Sequence, residues 1–192
     1  MGIYVLQVQT GQEEYVKDLL ESSVLADHPL AAERVFIPQK ALNHRNNAEE
    51  RRKTGERVSR WEMVLFPGYV FFESNDIDAF FEALHRFCST VFVRLIGRDG
   101  DTVQEVTPQE MAHIRRLSGE DPSTGFIEGG RIRITGGSLQ GLESFVKKVD
   151  RRKGNVLLEM EMFNRKVSVW VACDIAEPVK SEDEGEKKNE TP

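Results

Sequence analysis

The chain is poor in residues that build covalent or metal-held scaffolds. Its 192 residues include only 2 cysteines and 4 histidines. Cys88 and Cys173 stand far apart with no CxxC pair, and His28, His44, His85 and His113 fall at no metal-ligand spacing. A zinc site and a disulfide framework are therefore excluded, and free thiols imply a reducing, cytoplasmic setting. No apolar run approaches the roughly 18 residues of a membrane span, and the opening MGIYVLQVQT lacks a signal peptide's basic-then-apolar layout. No Ser/His/Asp or Cys/His set occurs in a nucleophile-like context, and no glycine loop leads into a helix to cradle phosphate. The glycine-rich GGRIRITGG at 129–137 lies between strands, where glycines serve turns and a bulge. We expect no enzyme, no cofactor, no metal and no membrane partner.

What is present is charge. Charged residues make up 30% of the chain and hydrophobic ones 39%, with a net charge of −6. The distribution is uneven: residues 1–118 carry −4, 119–125 carry −2, 126–179 carry +2 and 180–192 carry −2. One stretch, 136–166, holds seven basic side chains within the only net-positive segment. The tail KSEDEGEKKNETP has no apolar residue and reads as a disordered acidic tail over 180–192.

Periodicity gives the elements. IYVLQVQT reads as a strand, with Thr10 and Glu13 at capping-box spacing before a helix that carries Tyr15, Val16, Leu19 and Leu20 on one side. ERVFIPQKAL is a second strand, ended or bent near Pro38. Residues 43–60 are polar and basic and read as a flexible hairpin or loop; Arg51, Arg52, Lys53, Arg57 and Arg60 allow a DNA contact there, against a plain solvated excursion. WEMVLFPGYVFFES is two strands joined through Pro67-Gly68, NDIDAFFEALHRF is an amphipathic helix, and TVFVRLIG is a strand. Thr107, Pro108 and Glu110 start a third helix that Gly119 ends. The order is that of an α+β sandwich over 1–117. SGEDPSTG, 118–125, reads as a flexible linker. Five short strands follow over 126–179, a small β-barrel.

Two candidate surfaces emerge from the residues. Alternation puts Tyr69 and Phe71 on one sheet face and Val70 and Phe72 on the other. Tyr69 and Phe71 are either core or an exposed partner site. Lys147, Lys148, Arg151, Arg152, Lys153, Arg165 and Lys166 sit at or beside successive turns, with Arg131 and Arg133 alternating on a nearby strand. Gathered at one end of a barrel they attract nucleic acid; dispersed among Glu159 and Glu161 they form a solvated surface.

IYVLQVQTGQE, FPGYVFFE, IRITGGSLQGLESFVKKVD and MEMFNRKVSV together resemble the NusG family of transcription elongation factors, over residues 3 to about 179. The resemblance implies an N-terminal NGN domain that docks on the clamp helices of RNA polymerase, followed by a C-terminal five-stranded KOW β-barrel containing Gly141. It implies polymerase contact through Tyr4, Phe66, Tyr69 and Phe71, and a KOW contact to NusE or Rho through Phe163. The stretch from Ser123 to Lys166 resembles most closely the LoaP branch, processive antiterminators, which implies a monomeric factor whose KOW domain binds a hairpin in the nascent leader RNA. The seven basic residues from Lys147 to Lys166 would be the RNA reader. The alternative is a general elongation factor whose KOW domain meets NusE or Rho. A ribosomal RNA-binding protein is disfavoured by the acidic N-terminal half. Two departures bear on the choice: Ile3 replaces the usual tryptophan, and Asn164 stands where the housekeeping loop has glycine. Val156, Val167, Val169 and Val171 favour a permanent barrel over a fold-switching helix.

Overall fold

The computed structural model describes residues 1–27, 32–46, 48–87, 91–99, 102–119 and 123–176. His28, Cys88, residues 120–122 of the expected linker and residues 177–192, with the expected acidic tail, lie outside these. The N-terminal part begins with β1 (Gly2–Val8), α1 (Glu13–Leu19), a π-helical turn (Leu20–Val24) and α2 (Leu25–Asp27). Then come β2 (Arg34–Phe36), β3 (Gln39–Arg45), α3 (Ala48–Thr54), β4 (Val58–Val64), β5 (Tyr69–Ser74), α4 (Ile77–Phe87) and β6 (Val93–Leu95). The short β7 (Arg98–Asp99) and β8 (Thr102–Val103) precede α5 (Pro108–Leu117).

A four-stranded sheet in the order β2-β5-β1-β6 organises this part. Its strands alternate, so it has two apolar faces. One packs Tyr4, Leu6, Val70 and Phe72 against Val16 and Leu20 of the first helical segment and Phe80 and Leu84 of α4. The other carries Val5 and Phe71, joined by Leu65 and Phe66 and by Met111, Ile114 and Leu117 of α5. The expected sides of Tyr69–Phe72 therefore hold.

Two local expectations change. Thr10 is not a helix cap: Gln12 takes that place without a side-chain bond. Glu13 instead is buried, and its carboxylate accepts from the Gly68 N–H at 2.5 Å and the Gly11 N–H at 2.8 Å. It thereby ties the Pro67-Gly68 turn to the start of α1. Gly68 has φ of +86°, a conformation open to glycine. The stretch 43–60 is also no plain loop. β3 and β4 pair antiparallel from Gln39↔Val64 to Arg45↔Val58, with α3 at the tip.

The C-terminal part corrects the expected closed barrel of five strands. Its described residues form six: β9 (Thr124–Glu128), β10 (Arg131–Gly136), β11 (Val146–Asp150), β12 (Asn155–Met162), β13 (Arg165–Ala172) and β14 (Asp174–Ala176). They form two three-stranded sheets, β10-β9-β14 and β11-β12-β13, with no pairing between β10 and β11. β9 escapes sequence reading because its polar Thr124 and its Gly125 look like linker. Gly125 is there because a Cβ would lie 2.5 Å from the Arg133 carbonyl oxygen.

One continuous apolar cluster runs through both parts. Val5, Leu65, Phe66, Phe71 and Met111 share it with Ile132, Leu139, Val156, Leu158, Met162, Phe163 and Val169.

Candidate functional site

The site is built around the tip of the β12–β13 hairpin. Met162 and Arg165 close a two-residue loop in which Phe163 has φ of 55° and Asn164 φ of 56°. Both central residues left-handed is the type I′ geometry that matches strand twist. Asn adopts it at small cost; Phe does not, and a bulky residue held there stores on the order of 1–2 kcal/mol. The strained backbone turns the Phe163 ring out of its own sheets and into the N-terminal part.

There it meets three of the four aromatic residues expected to touch polymerase. Ring centroids lie 5.9 Å from Phe66, 6.1 Å from Tyr69 and 5.7 Å from Phe71, with edge-on geometry to Phe66 and Phe71. Phe163 is 6% exposed, Phe66 1% and Phe71 0%. The fourth residue, Tyr4, belongs elsewhere. It sits on the opposite sheet face, stacked on Phe72 at 5.5 Å, and its hydroxyl donates to Glu105 at 3.1 Å. Burial, and then Glu105, push its pKa upward.

Polar bonds fasten the ring in place. The Phe163 N–H donates to Glu110 Oε1 at 2.6 Å, and Asn164 Nδ2 donates to Gln104 Oε1 at 2.7 Å. A second fastening lies on the β3–β4 hairpin. The Asn43 N–H donates to Asn155 Oδ1 at 2.9 Å while Asn155 Nδ2 donates to the Asn43 carbonyl at 2.8 Å. Asn43 Nδ2 also donates to the Gly154 carbonyl at 2.8 Å and to Asp174 Oδ1 at 3.0 Å. Both asparagines are buried, so this reciprocal pair is satisfied only when the two parts are together. Sequence reading missed it because a polar residue on a polar-looking hairpin carries no burial signal.

The seven basic residues do not gather as one patch. Lys147, Lys148 and Arg151 line a groove of about 850 Å³ between β10 and β11, where Arg131 and Arg133 join them. Arg152 and Lys153 are exposed on the adjoining turn. Arg165 and Lys166 lie away from it: Arg165 Nη1 donates to Gln7 Oε1 at 3.4 Å, and Lys166 lines a cleft shared with Gln109, Glu110 and His113 of α5. Among the described residues no cluster of His, Cys, Asp or Glu suits a metal ion, and no helix is long and apolar enough to cross a membrane.

The arrangement is that of a two-part binding protein: an aromatic sheet face capped by a small β unit from the same chain. A family model described as transcription termination factor nusG matches residues 2–115, and the chain belongs to the NusG family. Members are non-enzymatic transcription factors that bind RNA polymerase. Among solved structures, one titled "Domain interaction in Thermotoga maritima NusG" is 26% identical, covers 89% of this chain and 93% of that chain, and superposes with a TM-score of 0.53. No curated protein matches.

Proposed function

We propose that this protein is a specialised transcription elongation factor. It engages RNA polymerase through the face of Phe66, Tyr69 and Phe71, and nascent leader RNA through its C-terminal part, to promote processive antitermination. The observation that carries the reading is the docking of Phe163 on that face. An apolar aromatic surface that needs a cover is a surface built for a partner. Phe163 occupies the place the polymerase clamp helices would take, so polymerase binding and the closed arrangement exclude one another. Tyr4 drops out of the contact set and acts as core.

For the C-terminal part, RNA rather than NusE or Rho is favoured by two features. Phe163 is buried rather than presented as an exposed apolar rim, and Arg131, Arg133, Lys147, Lys148 and Arg151 converge on one groove, apart from Arg165 and Lys166. The N-terminal part over 1–117 is the polymerase module and the C-terminal part is a KOW module that starts before the expected 126, since Ser123 bonds Leu139 and β9 begins at Thr124.

The test is single-round transcription through a terminator, with and without the transcript's own leader. Read-through that requires both the protein and the leader supports the reading. Equal read-through on templates lacking the leader returns it to a general elongation factor. Tyr69→Ala should abolish the effect while leaving RNA binding intact.

A further inference from the structure

The groove between β10 and β11 exists because the expected barrel is open there. β10 and β11 are each the end strand of their sheet and do not pair with one another. Two devices turn charge into the gap. On β10, alternation buries Ile132 and Ile134 and leaves Arg131 and Arg133 exposed. On β11, the register shifts between Val146 and Lys148, a bulge that sets Lys147 and Lys148 outward together instead of on opposite faces. With Arg151, five cations line the groove against one carboxylate, Glu143. That is a concentrated positive field in a chain of net charge −6.

The cations are available. Arg131, Lys148 and Arg151 have no acidic partner among the described residues. Arg133 pairs with Glu128 at 3.5 Å and Lys147 with Glu159 at 3.7 Å, but these pairs are exposed, with arginine and lysine side chains 67% and 65% accessible. Exposed pairs contribute little and exchange readily for phosphate. The rest of the lining is Ile127, Ile132, Val146 and Val149 with Gly130 and Ser144, and it holds no aromatic ring. Such a groove holds a phosphate backbone and offers bases nothing to stack on. The groove is present in the arrangement in which Phe163 is docked on Phe66 and Phe71, and Phe163 is not part of its lining.

We propose that this groove is an RNA-phosphate site, with Arg131 and Arg133 as one wall and Lys147, Lys148 and Arg151 as the other, and that RNA enters it while Phe163 stays docked on Phe66 and Phe71. It rests on the RNA reading above and adds the location, the backbone chemistry and the order of events. RNA is held first, and the polymerase face is uncovered separately.

The experiment measures binding of the full chain to a labelled stem-loop RNA and to a uridine homopolymer of equal length, across a salt series. The double variant Arg131→Ala/Arg133→Ala should weaken both RNAs by the same factor, at least tenfold, and lower the salt slope by roughly 1.5. Opening variants, Phe163→Ala and independently Asn155→Ala, should leave affinity within about twofold. Were opening required, affinity would rise by the inverse of the open fraction. If RNA binds but the double variant keeps wild-type affinity and slope, the groove assignment falls while the RNA reading stands. If both opening variants raise affinity tenfold or more, the order of events falls. If neither RNA binds at low salt, the RNA reading itself falls, and the cationic groove goes to an acidic protein segment.

Discussion

Glu110 bonds two distant segments with one carboxylate. Its Oε2 accepts from the Thr107 N–H at 2.8 Å, completing the capping box of α5, and its Oε1 accepts from the Phe163 N–H at 2.6 Å. Helix initiation and covering of the aromatic sheet face by Phe163 thus share a residue.

Thr107→Ala and Glu110→Ala should therefore differ. Each loses part of the cap, worth about 1 kcal/mol. Only Glu110→Ala also frees the Phe163 amide. Amide exchange at Phe163 should accelerate markedly in Glu110→Ala and little in Thr107→Ala. Equal acceleration in both would show that the carboxylate does not couple the two segments.

At position 163, backbone strain and ring burial oppose one another. Truncating a buried Phe to Ala costs about 3–5 kcal/mol. Glycine removes the same ring yet accepts positive φ freely, so Phe163→Gly should be more stable than Phe163→Ala by about 1 kcal/mol in urea unfolding. The reverse ranking would mean the left-handed turn is not kept in solution. Both variants should bind polymerase more tightly than wild type.

The Asn43–Asn155 pair predicts an asymmetry between its two members. Asn155→Ala leaves the buried Asn43 N–H and carbonyl unpaired, at about 1–3 kcal/mol for each unsatisfied group. Asn43→Ala keeps that backbone and loses only the bonds of its side chain to Gly154, Asp174 and Arg60. Thus Asn155→Ala should be the more damaging. Equal losses of stability in the two variants would place these residues apart in solution.

Lys40 gives a pH signature. It is 7% exposed on β3, and burial lowers its pKa to about 8. The unfolded chain keeps its proton to higher pH, so stability rises as pH climbs from about 8 towards 10.5, and the full penalty is present below 8. Lys40→Met should be more stable than wild type at pH 7, on the order of 2 kcal/mol. The advantage should shrink on alkaline titration. A constant gap would mean that the ammonium reaches water.

Much of the N-terminal fold was legible because its signals are local. The alternation of Tyr69, Val70, Phe71 and Phe72 assigned sheet faces, and Thr107-Pro108-x-Glu110 marked the start of α5. What was not legible depends on partners distant in sequence. Glu13 looked like a capping residue, but Gly68 claims its carboxylate. Tyr4 looked like a neighbour of Phe66, but a strand residue's face is set by its register, and Tyr4↔Phe72 puts it on the helix side. The basic residues were legible as a set but not as a place. Arg165 and Lys166 follow the hairpin tip, whereas the bulge at Lys147 and the unpaired edge of β10 create the groove.

The shared apolar cluster also imposes a schedule on synthesis. Phe66, Tyr69 and Phe71 leave the ribosome more than ninety residues of synthesis ahead of Phe163. At ordinary elongation rates that interval is on the order of ten seconds. Through it, each new molecule carries an aromatic face that Phe163 has yet to cover, so the nascent chain passes through an open arrangement before the docked one can form.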